Sequence, residues 1–139
     1  MLESLDKYKG TSLFLVRLAV GIVFLVHGVG KLFNIGPTAM GLSGFSGFLT
    51  SLGVPAASFA ALVVALVETL GGLLVLLGLW TRVAALLLAI NMFVAIILVH
   101  ISNGFSVASG GYEFALVLFL SALALLCGGA GEKWAMDNN

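Results

Sequence analysis

Charged side chains are the scarcest feature of this sequence. Only six Lys or Arg and six Asp or Glu occur among 139 residues, which makes 9% charged residues and a net charge of zero. A soluble domain carries about 25% charged residues, so this chain cannot cover a water-facing surface. Six scattered basic residues also form no patch that could follow a phosphate backbone, which excludes nucleic-acid binding.

Cysteine is almost absent as well. The single cysteine, Cys127, excludes an internal disulfide, a CxxC redox pair and a cysteine-rich metal site. The two histidines show neither HxxxH nor HExxH spacing, so we predict no bound metal. Cys127 lies near the end of the last apolar stretch, where such a residue is most often a small apolar filler.

Long apolar stretches take the place of the missing polar residues, and 61% of the chain is hydrophobic. A helix needs about 20 mostly apolar residues to cross a membrane, and four stretches qualify: residues 12–33, 56–79, 83–101 and 110–130. Their apolar residues run consecutively, whereas membrane β-barrel strands alternate apolar and polar residues. We therefore predict an all-α integral membrane protein, a single domain of residues 1–139 folded as an antiparallel four-helix transmembrane bundle.

The connection between the first two stretches carries an amphipathic pattern. Phe45, Phe48, Leu49 and Leu52 follow the i, i+3, i+4, i+7 spacing of one helical face. This pattern predicts a short helix lying at the membrane interface. The five glycines of residues 34–55 allow the alternative of a flexible loop.

The basic residues predict how the chain lies in the membrane. With four spans, the side that holds both termini carries Lys7, Lys9, Arg82 and Lys133, and the opposite side carries only Lys31. Cytoplasmic loops are enriched in Lys and Arg. We therefore predict that both termini are cytoplasmic.

Three polar residues inside the predicted spans form a candidate buried polar core: Arg17, Glu68 and Asn91. A charge at the bilayer centre costs about 2.5–3.5 kcal/mol even on a lenient insertion scale, so each charged group needs a partner. Depth along the helices favours an ion pair between Arg17 and Glu68. In the alternative, Arg17 extends to the cytoplasmic headgroups while Glu68 stays protonated or bonds to Asn91.

A larger polar group is predicted where the helices reach the outer leaflet. Alternating helix directions bring six candidate ligand-binding residues to that side: His27, Lys31, His100, Asn103, Tyr112 and Glu113. Such a set could bind an anion or the head group of an amphiphile, or transfer protons. In the alternative, these are only the polar residues that helix ends normally carry. Helical angles point His100 away from Asn91, so these two need not share a cavity.

Four motifs follow one another at characteristic spacing within residues 12–130. They are His27-Gly28-x-x-Lys31, Glu68-x-x-Gly71-Gly72 with Thr81-Arg82 further on, His100-x-x-Asn103-Gly104-Phe105, and Gly110-Gly111-Tyr112-Glu113. In this order and spacing they resemble the DoxX family. The resemblance implies a small four-helix protein of the bacterial inner membrane, related to the DoxD-like subunit of thiosulfate:quinone oxidoreductase. It carries over no catalytic residue.

The resemblance and the polar cluster together favour an accessory subunit of a membrane oxidoreductase system, quinone-linked or thiosulfate/thiol-linked, that binds a small ligand near the outer leaflet. The sequence shows no flavin, haem or iron–sulfur motif. No cofactor is therefore evident, a quinone is the candidate ligand, and electrons would come from a redox partner protein. The alternatives are a non-enzymatic small-molecule binding or transport protein and a membrane anchor for soluble partners. Four helices are few for a transporter, so we predict a homo-oligomer; whether the chain is an enzyme stays open.

Overall fold

Five α-helices account for most of the part of the chain that the structure describes. A computed structural model describes residues 7–137, so residues 1–6 and 138–139 of the predicted domain lie outside the described residues. The helices are α1 (Lys9–Phe33), α2 (Gly41–Ser51), α3 (Ala57–Leu77), α4 (Thr81–Ala95) and α5 (Glu113–Gly128). A π-helical turn (Ile96–His100) and a 3₁₀ turn (Ile101–Asn103) prolong α4, and a second 3₁₀ turn (Val107–Ser109) precedes α5. Residues 7–137 contain no β-strand, which confirms the all-α prediction.

Three helical segments are long and apolar enough to cross a membrane: Gly10–Phe33, Ala57–Leu77 and Thr81–Asn103. They correspond to the predicted spans 12–33, 56–79 and 83–101. The fourth predicted span, 110–130, is shorter in the structure, because α5 has only 16 residues. It begins at Glu113 since the backbone N–H groups of Tyr112 and Glu113 bond to the carbonyls of Gly104 and Phe105 in the preceding loop.

A short helix is also present between the first two spans. Helix α2 covers Gly41–Ser51, within the segment where the apolar pattern predicted a helix. Its buried side chains are Phe45 and Leu49, two members of that pattern. The structure therefore favours the helix over the flexible loop, and a position at the membrane interface stays a prediction.

Helix α3 lies at the centre of the packing. It contacts α1, α2 and α4, while α5 packs against α4 and α1. A main apolar core joins α1, α3, α4 and α5, and a separate smaller cluster joins α2 to α3. The outer faces stay apolar, since large side chains such as Leu70, Ile90 and Val117 are more than half exposed. An apolar surface of this extent suits contact with lipid rather than water.

Helices α1 and α3 approach each other until their backbones touch. A Cβ atom on Gly28 of α1 would lie 2.8 Å from the Cα atom of Thr69 in α3. Nearby, a Cβ atom on Gly72 of α3 would lie 2.6 Å from the backbone nitrogen of Leu25 in α1. Only residues without a Cβ atom allow helices to come this close. The contact therefore sets the register between α1 and α3.

Arg17 ties the first half of α1 to the end of α3 and to the segment after α5. Its side chain is 0% exposed, and its guanidinium donates five hydrogen bonds, all to backbone carbonyl oxygens. The acceptors are the carbonyls of Val75, Leu76, Ala130, Lys133 and Trp134. Gly78 leaves room for this side chain: its φ is 63°, and a Cβ atom there would lie 2.5 Å from Nη2 of Arg17. All five N–H donors of the guanidinium therefore have a partner.

The same C-terminal segment caps the start of α4. The Asp137 carboxylate accepts hydrogen bonds from the backbone N–H groups of Trp80, at 2.7 Å, and Thr81, at 2.9 Å. Burial alone would raise the pKa of the Asp137 carboxyl, but these hydrogen bonds and the charge of Arg17 together lower it below its ordinary value of 3.8. An acid at the N-terminus of a helix also interacts favourably with the helix dipole.

The close approach of α1 and α3 predicts a strong effect of one added methyl group. Gly28→Ala should lower the free energy of unfolding by about 1–3 kcal/mol, because the new Cβ atom overlaps the Thr69 backbone. Gly47→Ala in α2 is the matched control, since a Cβ atom there meets nothing within 4 Å, and it should be neutral or stabilising. Unfolding in detergent micelles measures both, and equal stability of the two variants would contradict the proposed register.

The Asp137 cap predicts a pH dependence of stability. A carboxyl whose pKa is lowered by folding stabilises the native state fully above its unfolded pKa and loses that contribution as the pH falls through the lower native pKa. Asp137→Asn should therefore be less stable than the parent by about 0.5–1 kcal/mol at pH 7, and the difference should shrink as the pH falls below 3.8. Glu132→Gln, at an exposed carboxylate of the same segment, is the control. A difference between parent and Asp137→Asn that is constant with pH would rule out this cap.

Candidate functional site

A cavity of about 430 Å³ lies between α1, α2, α3, α4 and the beginning of α5. Most of its wall is apolar, and all four residues of the predicted amphipathic face of α2 contribute to it. The polar lining residues are His27, Lys31, Glu68, Asn91 and His100. The cavity therefore combines a hydrophobic wall with one set of polar groups, as ligand sites of this size usually do.

Glu68 organises the polar groups of the cavity. Its Oε2 atom accepts a hydrogen bond from Nζ of Lys31 at 2.5 Å, and its Oε1 atom accepts one from Nδ2 of Asn91 at 3.1 Å. The two charged side chains are nearly buried, with exposures of 12% for Lys31 and 9% for Glu68. Lys31 also lies over the ring of Phe45, 5.0 Å from its centroid, which is within the range of a cation–π interaction. The ion pair thus links α1 to α3, and Lys31 adds a contact to α2.

The predicted ion pair between Arg17 and Glu68 is wrong. Arg17 uses all its donors on backbone carbonyls at the end of α3 and in the segment after α5, while Glu68 pairs with Lys31. The physical reason is the register set at Gly28 and Thr69, which brings the C-terminal part of α1 beside Glu68. The alternative bond between Glu68 and Asn91 is present in the structure.

His27 lies one helical turn before Lys31 and lines the same cavity. Its charged neighbours are Lys31 and Glu68. Among residues 7–137, neither ring nitrogen of His27 has a hydrogen-bonding partner. Its imidazole therefore remains able to donate and accept hydrogen bonds inside the cavity.

His100 reaches the cavity because α4 does not continue as a regular α-helix. In a regular helix, residues nine apart such as Asn91 and His100 point about 180° apart. The π-helical turn Ile96–His100 accommodates about one extra residue, or about 100° of rotation. Both side chains consequently line one cavity. The Nδ1 atom of His100 donates to the carbonyl of Gly110 at 2.8 Å, so Nε2 is the acceptor nitrogen of the neutral ring.

The other three predicted ligand-binding residues are not among those that line the cavity. Asn103 donates to the carbonyls of Val99 and Gly110 and so holds the end of α4 against the loop. The ring of Tyr112 packs edge-on against Phe105 at 5.5 Å between centroids. Glu113 borders a separate small hollow with Phe105 and Val117. The six predicted residues therefore divide into three at the cavity and three that hold or flank the loop.

Two parts of the site were not recognised in the sequence. The pairing of Lys31 with Glu68 was missed, although Lys31 lies on the same helical stripe as Arg17 and Gly28. The apolar face of α2 was recognised as amphipathic but was not assigned to the ligand site. The signal available in the sequence was the pair of aromatic residues Phe45 and Phe48, which precede the helix that carries Glu68. These aromatic residues could have been assigned to the wall of the ligand site.

Comparison with known proteins fits this architecture. The apolar helices and the ligand-sized cavity define a small membrane protein. The DoxX family profile matches residues 12–101, and the chain belongs to the DoxX family. It is 37% identical over 84% of its length to a Bacillus subtilis protein named "Putative oxidoreductase CatD", covering 78% of that protein. It is also 38% identical over 91% of its length to "Uncharacterized membrane protein Rv3486" of Mycobacterium tuberculosis, covering 79% of it.

A Haemophilus influenzae protein named "Uncharacterized protein" is 32% identical over 99% of this chain and 96% of its own length. No solved structure matches the chain. These similarities confirm the resemblance to the DoxX family that the sequence motifs indicated. The alignments with the relatives cover most of the chain.

Double-mutant cycles can test the observed pairing. Lys31→Met and Glu68→Gln should show a coupling energy of about 1–3 kcal/mol, because each removes the partner of a nearly buried group. Arg17→Lys combined with Glu68→Gln should be additive within about 0.5 kcal/mol, since the two residues share no partner. Unfolding in detergent supplies all the free energies. Stronger coupling of Glu68 to Arg17 than to Lys31 would refute the assignment.

Proposed function

We propose that this protein binds a lipid-soluble quinone in the cavity and acts as the ligand-binding accessory subunit of a membrane oxidoreductase system. The observation that carries the proposal is the chemistry of the cavity, in which an apolar wall ends in a compact polar group without net charge. A quinone has a hydrophobic tail and a polar but uncharged ring. The apolar wall therefore suits the tail of a quinone, and the polar group suits its ring.

The charge balance of the polar group favours a neutral head group over an anion. Lys31 is the cationic side chain of the polar lining that could attract a small sulfur anion. In the structure its charge is compensated by Glu68 at 2.5 Å. A thiosulfate ion in this cavity would lose its hydration among apolar side chains and would meet an already neutral pair, which is unfavourable. A neutral ring that only needs hydrogen bonds loses less on binding.

Several side chains line the cavity and still reach the outer surface of the protein. Phe48 of α2 is 38% exposed, Leu98 in the prolonged end of α4 is 48% exposed, and Phe114 of α5 is 47% exposed. In a membrane this surface faces lipid. A ligand dissolved in the bilayer can therefore reach the cavity sideways, without passing through water.

The sequence and the relatives support a cellular setting for this proposal. We place the chain in the bacterial inner membrane, as an antiparallel four-helix transmembrane bundle with both termini cytoplasmic and the cavity towards the outer leaflet. The name of the Bacillus subtilis relative, which includes "oxidoreductase", supports a redox setting. Electrons would pass between the bound quinone and a redox partner protein, and the chain would assemble as a homo-oligomer.

Quinone binding should be measurable as thermal stabilisation. A benzoquinone with one isoprene unit should raise the unfolding temperature of the purified protein in detergent by about 5 °C at a free concentration about ten times its Kd, because a ligand that binds only the native state stabilises it. Val64→Phe, which fills part of the cavity, should abolish the shift. Val63→Phe is the matched control, since Val63 is 41% exposed on the outer face and should retain the shift.

Thiosulfate is the competing ligand in the same measurement. Stabilisation by thiosulfate but not by the quinone would overturn the choice of ligand. If the quinone stabilised Val63→Phe and Val64→Phe equally, it would bind elsewhere on the protein. If it stabilised none of the proteins, the proposed function would be wrong.

A further inference from the structure

The hydrogen bonds inside the cavity separate the polar residues that are already bonded to other parts of the protein from His27, which is bonded to none of the parts that the structure describes. Both carboxylate oxygens of Glu68 already have partners, from Lys31 and Asn91. Nδ1 of His100 is committed to the carbonyl of Gly110. Within the described residues 7–137, His27 is the polar lining residue whose side chain has no hydrogen-bonding partner.

The position of His27 is fixed although its ring is unpartnered. It stands directly before Gly28, whose contact with Thr69 holds α1 against α3. Lys31, one turn further along α1, is held by Glu68. The backbone on both sides of His27 is therefore anchored, and its ring is presented to the cavity from a rigid helix. A binding group on a rigid element loses little entropy when its ligand arrives.

We propose that His27 is the residue that hydrogen-bonds the head group of the ligand, whereas Lys31, Glu68, Asn91 and His100 hold the surrounding helices and loop in place. This proposal rests on the proposed function, because it assumes that the cavity holds a quinone. It assigns unequal roles to two histidines that the sequence treats alike. His27 contacts the ligand, and His100 positions the loop that closes the cavity.

The chemistry of imidazole fits both redox forms of such a ligand. A neutral imidazole has one N–H donor and one acceptor nitrogen. The N–H group can donate to a quinone carbonyl oxygen, and the other nitrogen can accept from a quinol hydroxyl group. A lysine ammonium could only donate, and a carboxylate could only accept. His27 therefore suits a site in which the ligand changes from hydrogen-bond acceptor to donor.

The test compares variants of the two histidines with the same short-chain benzoquinone and its quinol. His27→Phe should weaken binding of both forms about tenfold, measured by equilibrium dialysis in detergent, because one hydrogen bond to a buried group is lost. His27→Gln keeps both a donor and an acceptor and should recover part of the affinity. Val63→Phe, on the outer face of α3, should leave the affinity within about threefold of the parent. His100→Phe, which removes the bond to Gly110, should lower the unfolding temperature.

Infrared spectra of the bound quinone give a second readout. A hydrogen bond weakens the C=O bond, so the carbonyl stretch of the bound quinone should lie below the free value in the parent. It should return towards the free value in His27→Phe and stay low in His100→Phe. If the parent binds quinone but His27→Phe binds equally well with an unchanged carbonyl stretch, the role given to His27 is wrong and the proposed function stands. If the parent binds no quinone, the proposed function itself fails.

Discussion

The backbone contact between α1 and α3 is the constraint from which most of the structure follows. Gly28 against Thr69 and Gly72 against Leu25 leave no space for a Cβ atom, so these helices pack in one register. That register places two cations of α1, Arg17 and Lys31, at once. Arg17 meets the carbonyls at the end of α3, and Lys31 meets Glu68 in its middle. A shift by one helical turn, about 5.4 Å, would separate both cations from their partners.

The two cations are stabilised by different chemistry, and each suits its side chain. The guanidinium of Arg17 has five N–H donors in a planar fork, and it donates to five backbone carbonyls at the end of α3 and in the C-terminal segment. The ammonium of Lys31 is a compact charge, and one carboxylate with one aromatic ring suffices for it. Because buried charges lose their hydration, removing either set of partners is costlier than the net gain from the interaction itself.

The sequence was informative wherever one physical rule acted alone. Apolar runs predicted the helices, and the spacing of Phe45, Phe48, Leu49 and Leu52 predicted α2. The prediction of the ion pair failed because depth in the membrane does not determine the register between two helices. Arg17 and Lys31 lie about 21 Å apart on one face of α1, and the expected depth of Glu68 was closer to that of Arg17. The contact of Gly28 with Thr69, which is visible only in the folded structure, makes Lys31 the partner of Glu68.

The π-helical turn that brings His100 to the cavity lies in an ordinary apolar run, Ile96–His100, and no sequence signal marks it. Asn103 instead bonds to the carbonyls of Val99 and Gly110, Tyr112 packs against Phe105, and Glu113 borders a separate hollow. These contacts depend on how the loop before α5 folds.

Under the proposed function, folding stability and ligand binding depend on opposite ends of α1 and α3. The Arg17 end has its donors satisfied by backbone and belongs to the main core. The cavity end is closed by weaker elements: α2 belongs to a separate small cluster and contacts Lys31 through one ring, while the loop is held through His100 and Asn103. Regions with few buried contacts open at lower free energy than the core. Under the proposed function, helix α2 and the loop would move apart to admit a ligand from the bilayer while α1 and α3 stay in register and keep His27 in place.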